Sequence, residues 1–365
     1  MERKKILVAP LDWGLGHATR CIPVIRGLLD AGHEVLLAAS GQTEILLRAE
    51  FPQLQFIYLP GYGLRYSSFF PAWLKVVVQL PKIFFRMRSE HRWLKKIIRL
   101  YAVDVVISDS RFGLWNRDVC SVYITHQVMI RCPGWLEIFE PLLYQLHRRV
   151  IKKYNYCWIP DYEGPVNLSG DLAHKYPLPE NARFVGPLSR FLFKEAVQKT
   201  AYEICTVISG PEPSRSEFER LIMTAMKSFP GKTVVVLGKP GEERDEWSGN
   251  MRIISHLPAA ELEKIIAASA FVICRSGYSG VMDLAAMKKD ALLIPTPGQT
   301  EQEYIAAHLT SAKIFLSVGQ SAFRFEDAAT KGGISIHNFT AAGNNFSALK
   351  KAIADLMDFG QNTPG

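Results

Sequence analysis

Short apolar runs alternate with stretches of helical period along nearly the whole chain, and the pattern starts twice. A chain that alternates this way builds a parallel sheet covered by helices on both faces, because each return to a parallel strand needs a crossover. In the first pass the spacing predicts strands at Ile6–Pro10, Glu34–Ala39, Gln55–Leu59, Val103–Ser108, Ser121–Thr125 and Tyr156–Ile159. Helices are expected at His17–Ala31, at Ala72–Leu100 with a break at Pro81, and at Leu136–Lys153. The pattern restarts with strands at Ile204–Ser209, Thr233–Leu237, Arg252–Ile254, Phe271–Cys274 and Leu292–Pro295, and a helix near Ser214–Ser228. At 365 residues the chain fits two domains of ordinary size. The division expected is α/β throughout: a Rossmann-like domain over 1–187, a linker at 188–200, and a second such domain over 201–365. The last helix, Phe346–Met357, is assignable to either half.

Charge and cysteine usage narrow the class. The six cysteines are scattered without a C-x-x-C pair, as expected of buried free thiols in a reducing cytoplasm. The amino-terminal apolar run ends at Asp12, too short for a signal peptide, and no apolar stretch approaches the ~20 residues of a membrane span. From Tyr62 to Tyr101 there are nine basic residues against one acid, Glu90, an excess equal to the +8 of the whole chain. Phe69, Phe70, Trp73, Phe84, Phe85 and Trp93 are interleaved with them. That mixture suits an anionic membrane surface, on the inner face of the membrane for a cytoplasmic protein. The plain alternative is a helix with a wet basic face. No nucleic-acid recognition motif accompanies the charge, so no nucleic-acid partner is expected.

The chemistry-bearing residues fall where predicted strands end. The first strand runs into L-D-W-G-L-G-H-A-T-R, where Gly14 and Gly16 permit a tight turn on the phosphate side of a ligand and His17 opens a helix. The third Gly of a dinucleotide fingerprint is missing, since Thr19 stands there, and the second strand ends without an acid, which disfavours NAD. A histidine at a helix start is held neutral and can accept a proton; otherwise it caps the turn. Asp109 and His126 end two further strands and are the other candidates for the base.

In the second half, I-C-R-S-G-Y-S-G-V-M-D (Ile273–Asp283) is a strand, a small-residue turn and a helix start, whose backbone N–H groups suit a phosphate. Asp283, one turn in, is placed to accept from ribose hydroxyls. The next strand ends in P-T-P-G-Q-T-E-Q-E-Y, where Gln299, Gln302 and Glu303 can read sugar hydroxyls. Ser209 and Gly210 end another strand, with Pro213 and Ser214 opening a second anion-facing helix. No Asp-x-Asp, P-loop, G-x-S-x-G elbow or metal-ligand spacing occurs, so no metal and no cofactor is expected.

Three segments, G-L-G-H-A-T-R, R-S-G-Y-S-G-V-M-D and P-T-P-G-Q-T-E-Q-E-Y-I-A-A, resemble those of GT-B glycosyltransferases of the MurG-like group. The resemblance spans both halves and implies two Rossmann-like domains facing a central cleft. It further implies a nucleotide-sugar donor, a UDP-sugar, in the carboxyl-terminal half, and a lipid-linked or other acceptor in the amino-terminal half. Ser276, Gly277, Ser279 and Gly280 would surround the diphosphate, and Asp283 would replace a ribose-binding Glu. Gln302 and Glu303 would match a Gln-Gln pair reading the sugar, and Leu257 would lie at the base. Arg275 opens the motif in either a binding or a structural role. The implied chemistry is inverting, metal-independent hexosyl transfer. A nucleotide-sugar hydrolase or epimerase of the same fold, or a non-catalytic nucleotide-sugar-binding subunit, is the alternative.

Overall fold

The structure is a computed structural model that describes residues 3–62, 72–132, 134–191, 200–324 and 345–356. The chain forms two compact units, Met1–Trp13 with His17–Leu188 and Ala342–Gly365, and Gly14–Gly16 with Ser189–Ala341.

The first unit holds strands β1 (Lys5–Pro10), β2 (Glu34–Ala39), β3 (Gln55–Tyr58), β4 (Val105–Asp109), β5 (Cys120–Ile124), β6 (Tyr156–Ile159) and β7 (Ala182–Phe184) in the order β3-β2-β1-β4-β5-β6-β7, all parallel. Its helices are α1 (Leu15–Asp30), α2 (Gly41–Glu50), α3 (Ala72–Tyr101), α4 (Glu140–Ile151, after a 3-10 turn at Gly134–Phe139) and α5 (Asp171–His174). The strand order reverses between β1 and β4, where Pro10 pairs with Asp109. Open parallel sheets gather ligands at the carboxyl ends of the strands at such a reversal. The central strands are apolar without alternation because helices cover both faces. Ile6, Leu7, Val8, Val105, Val106 and Ile107 are fully buried.

The second unit repeats the plan with β8 (Tyr202–Val207), β9 (Thr233–Val236), β10 (Asp245–Ser248), β11 (Met251–Ile254), β12 (Ser269–Cys274), β13 (Ala291–Leu293) and β14 (Leu316–Ser317). The order is β10-β11-β9-β8-β12-β13-β14, parallel except for the antiparallel β10–β11 pair. Its helices are α6 (Ser214–Lys227), α7 (Ala259–Ala267), α8 (Tyr278–Ala286) and α9 (Thr300–Ser311). The reversal falls between β8 and β12, above Ile204, Val235, Ile273 and Leu292, which pack on Phe218 and Ile222 of α6.

Two expectations change, and a third falls on residues that are not described. α3 is not interrupted at Pro81: the backbone stays helical from Ala72 to Tyr101, as a helix does when it forgoes one hydrogen bond instead of breaking. Strands β7, β10 and β14 were not expected, since β7 and β14 are only three and two residues long and β10, Asp-Glu-Trp-Ser, is exposed throughout with no apolar face to read. The expected linker lies largely outside the described residues.

The last helix, α10 (Asn345–Asp355), belongs to the first unit. It buries Leu349, Ala352 and Ile353, Arg183 pairs with Asp355, and Lys4 Nζ donates to Leu356 O at 3.3 Å. Ile353 reaches so close to α1 that a Cβ on Gly27 would lie 2.8 Å from it. Ile353→Ala is therefore expected to destabilise the first unit by about 2–4 kcal/mol, the range for truncating a buried aliphatic side chain. Urea unfolding checks this; an unshifted midpoint would mean that the helix is not docked there.

Candidate functional site

The end of β1 passes through Gly14, whose φ of +91° suits glycine alone among common residues, into α1. His17 lies in the first turn of that helix and Arg20 one turn on, on the same face. Asp109 ends β4 and is wholly buried; Ser110 follows at φ +56°. His126 stands just past β5.

Arg20 gathers these groups. Its Nε donates to Asp109 Oδ2 at 2.7 Å and its Nη2 to Asp109 Oδ1, a two-pronged ion pair. Nη1 meets His126 Nδ1 at 3.0 Å. A guanidinium only donates, so that His126 nitrogen is an acceptor and its lone pair is taken. Nη2 also lies 3.0 Å from Ser110 Oγ and 2.7 Å from His17 Nδ1, while His17 Nδ1 lies 3.3 Å from Asp109 Oδ2. Nη2 has two hydrogens for three acceptors. With Nη2 on Asp109 and Ser110, His17 gives its Nδ1 hydrogen to Asp109 and its lone pair sits on Nε2; with Nη2 on His17, the Nδ1 lone pair is the one engaged.

The electrostatics follow from burial. Burial pushes the Asp109 carboxyl up, but the Arg20 charge and then His17 outweigh it and hold the group below its ordinary value, ionised. Burial and then the Arg20 charge lower His17 from 6.5, with Asp109 offsetting part, so the imidazole is neutral near pH 7. Of the three candidate bases only His17 is appreciably exposed, at 17% of its side chain against none for Asp109. His126 is 6% exposed.

In the second unit β12 ends at Cys274, and the turn Arg275-Ser276-Gly277 leads into α8. Gly277 is the N-cap and brings no side chain to the helix end, the first turn carries no acid, and the first intrahelical bond is Val281 N to Gly277 O at 3.0 Å. The amides of Ser279 and Gly280 precede that bond, which leaves a helix start suited to an anion. Ser276 Oγ donates to Gln302 O at 2.8 Å, and Gln302 Oε1 accepts from Thr296 N at 2.9 Å. Gln302 Nε2 lies 3.9 Å from where a Cβ on Gly277 would sit. The structure thus brings Ser276, Gly277 and Gln302 together.

Other expected residues are placed differently. Asp283 is 4% exposed, and both its oxygens are engaged: Oδ1 accepts from Ser189 Oγ (2.9 Å) and Arg190 N (3.2 Å), and Oδ2 from Arg190 Nε (2.9 Å). It ties α8 to the segment before the second sheet, and the ribose contact is not assigned to it. Arg275 is structural: it donates to Ile294 O, Pro295 O and Ser214 O, and its guanidinium stacks 4.0 Å from the Phe218 ring. The α6 start expected to face an anion carries its own, since Glu212 accepts from Ser216 N at 3.2 Å and pairs with Arg215. Glu303 is exposed and accepts from Gly298 N at 2.8 Å, so with Glu301 it makes the α9 start acidic. Gln299 is the N-cap of α9 without a side-chain cap bond. Ser209 and Gly210 are exposed beyond β8, and Leu257 is half-buried beyond β11, on the same edge of the sheet but without side-chain bonds to the α8 turn.

Sequence reasoning missed Arg20 and Ser110. Arg20 was legible: it stands three residues after His17 in a predicted helix, and so on its face. Ser110 was not, because its role depends on a left-handed turn at a serine. Among the described residues no group of three or more His, Cys, Asp or Glu side chains is placed to hold a metal ion.

Residues 239–327 match the model of the glycosyltransferase family 28 C-terminal domain. An uncharacterized glycosyltransferase of Methanosarcina acetivorans is 25% identical over 328 residues, 83% of this chain and 82% of that protein. A UDP-N-acetylglucosamine--N-acetylmuramyl-(pentapeptide) pyrophosphoryl-undecaprenol N-acetylglucosamine transferase of Methylorubrum populi is 45% identical over 60 residues, 16% of each chain. Among solved structures, the glycosyltransferase SnogD of Streptomyces nogalater superposes with a TM-score of 0.61 at 14% identity, covering 98% of this chain and 99% of that one. The chain is a glycosyltransferase of the GT-B fold, and residues 239–327 of its second unit are similar to the family 28 C-terminal domain.

Proposed function

We propose that this enzyme transfers a hexosyl group from a UDP-sugar to the hydroxyl of a lipid-linked acceptor, with inversion and without a metal. The observation that carries the reading is the arrangement around Arg20, which leaves His17 as the accessible base and Asp109 as its buried partner. His17 Nε2 takes the acceptor hydroxyl proton while that oxygen attacks the anomeric carbon and the bond to the diphosphate breaks. Asp109 fixes the tautomer and stabilises the imidazolium that forms, and single displacement inverts the carbon. The nucleoside diphosphate departs carrying its charge to the α8 start, where amides and the helix dipole stabilise it. Gln302, packed beside the α8 turn through Ser276, is the candidate to read a sugar hydroxyl. Uridine as the base is supported by the name of the Methylorubrum relative.

The acceptor side rests on surface chemistry. On α3, Lys82, Arg88, Arg92, Lys95, Lys96 and Arg99 are exposed, whereas Glu90 is buried, so the outer face of this stretch is cationic. Phe84 and Phe85 are 52% and 71% exposed beside it. Trp93 instead packs on the core, and Phe69, Phe70 and the Trp73 side chain lie outside the described residues. A second exposed apolar set, Ile138, Phe139, Leu142 and Leu146, precedes and opens α4. Trp115 links the two helices, stacking on His91 of α3 at 4.4 Å with Lys153 beyond α4 over its ring. Among the described residues no helix is long and apolar enough to cross a membrane. These features suit peripheral attachment to an anionic bilayer at the cytoplasmic face, where a lipid-linked acceptor is presented.

His17→Ala is expected to lower kcat by roughly 10²–10⁴-fold with donor affinity nearly unchanged. The acid limb of kcat/KM should lie below pH 6.5, because the lowered His17 stays neutral, and competent, to lower pH than an ordinary histidine. Product analysis with labelled donor separates transfer from hydrolysis and from binding without turnover. A limb above 6.5, or a fully active His17→Ala, would remove His17 as the base.

UDP is expected to bind equally well with EDTA and with magnesium. Gly277→Asp places a carboxylate at an N-cap whose backbone (φ −68°, ψ 134°) accepts it. It should leave thermal stability unchanged or slightly raised while weakening UDP by about 10–100-fold, the loss of charge-assisted hydrogen bonds worth ~1.5–3 kcal/mol. Calorimetry showing unaltered affinity would move the diphosphate elsewhere.

The protein should float with anionic but not neutral liposomes at low salt, and high salt should release it. Each exposed Lys or Arg near such a surface adds about 1 kcal/mol within a Debye length. Replacing Arg92, Lys95, Lys96 and Arg99 by Gln should abolish flotation; a wild-type chain that ignores anionic vesicles points to a soluble acceptor.

A further inference from the structure

Glu90 is the single acid in the basic stretch Tyr62–Tyr101, and its carboxylate faces inward, 4% exposed. Oε1 accepts from Arg111 Nη1 at 2.8 Å; Oε2 accepts from Tyr62 Oη at 2.8 Å and from Gly113 N at 3.2 Å. Arg111, wholly buried, stands two residues after Asp109. Its Nε donates to Pro10 O at 2.8 Å and its Nη1 to Pro60 O at 3.3 Å, while Nη2 lies 3.8 Å from Asp12 Oδ1 without a hydrogen bond. Asp12 Oδ1 in turn accepts from Tyr62 N at 3.2 Å. One guanidinium thus fastens the end of β1 and the loop after β3 to the turn after β4, and Glu90 is the carboxylate that balances its charge.

The placement matters because Pro10 and Asp109 are register partners, and the two strands part immediately beyond them. One leads through Asp12 to His17; the other leads through Ser110 to Arg111. The backbone clamp at Pro10 sets the distance across that parting, and hence how Asp109 and Ser110 meet Arg20 and His17. We propose that Glu90, acting through Arg111, is a positioning residue for the His17–Asp109 pair, linking the cationic helix α3 to the base. The proposal rests on the reading of His17 as the base.

Glu90→Gln keeps the shape and removes the charge, leaving Arg111 buried without a counter-ion. In the full-length protein, ¹⁵N-histidine NMR, with His17 assigned by a His17→Gln difference spectrum, reads its titration midpoint and ring-nitrogen shifts without any turnover. Glu90→Gln is expected to displace the midpoint by roughly half a unit or more and to shift the ring-nitrogen signals, as the contacts to Arg20 and Asp109 that set it are loosened. In the same variant kcat should fall roughly tenfold to a hundredfold, as small misplacements of a reacting group do, with donor KM within about twofold. A destabilised control, Leu172→Ala, whose side chain is buried beside Ala173 in α5, should lower the melting temperature and leave the His17 titration in place. If Glu90→Gln does not fold, Tyr62→Phe removes one hydrogen bond to the same carboxylate and should also move the His17 signals. A His17 titration that coincides with wild type in the folded variant, or that moves as much in Leu172→Ala, overturns the proposal. Should His17 respond to Glu90 while the wild-type chain turns over no nucleotide sugar, the positioning stands and the reading of His17 as a base falls.

Discussion

The buried ion pair between Arg20 and Asp109 is the constraint on which the first unit's site depends. Neither group is tolerable in the interior alone: breaking such a pair by removing one partner costs about 3–5 kcal/mol, because the other charge stays desolvated. The pair therefore fixes the approach of α1 to the end of β4 within hydrogen-bonding tolerance. Everything else in the cluster is placed by what Arg20 has left to donate. It occupies the Nδ1 lone pair of His126, which withdraws that residue from base chemistry, and it lowers His17 while Asp109 partly offsets it. A cation and an anion beside one histidine keep it neutral and still oriented, where either alone would favour one protonation state too strongly.

The two units answer the same topological problem with different chemistry. Each sheet reverses its strand order beside its first strand, and each places a turn and a helix start there. The first unit fills that place with ionised side chains held by side chains. The second keeps charge out of the helix start: Arg275 is drawn down against Phe218 and carbonyl oxygens, Gly277 contributes no side chain, the first turn of α8 carries no acid, and Asp283 further along the helix is turned to Ser189 and Arg190. A helix start free of carboxylates suits an anionic leaving group, whereas a proton acceptor needs a tuned side chain. One fold thus carries a paired set of charged side chains in the first unit and a carboxylate-free helix start in the second.

Much of this was legible in the sequence because periodicity and strand-end residues report on backbone topology. The buried runs of β1, β4, β8 and β12 show as continuous apolar segments, and His17, Asp109 and His126 could be placed at strand ends and so at one edge. Which of the three is accessible could not, because that depends on how Arg20 distributes its hydrogens. Asp283 shows the same limit: Ser189 and Arg190, almost a hundred residues earlier, engage both its oxygens, which no local reading of the helix start could reveal. Short polar strands such as β10 carry no apolar signal, and the continuation of α3 through Pro81 is set by backbone that no local propensity describes.

Net charge illustrates the limit of composition most directly. The +8 of the chain counts every Arg and Lys alike, yet Arg20, Arg111 and Arg275 are almost wholly buried. Arg20 and Arg111 are neutralised by Asp109 and Glu90; Arg275 lies against carbonyl dipoles and an aromatic face. Removing Glu90 from the surface count leaves the outer face of α3 without an acid, so its local field is stronger than the sequence tally of nine bases against one acid states. The residue that would have diluted the field is the one that balances Arg111 at the end of β1. Interior charge pairing and surface cationic character are therefore set by one side-chain orientation, since turning Glu90 outward would weaken the patch and strand a buried guanidinium together.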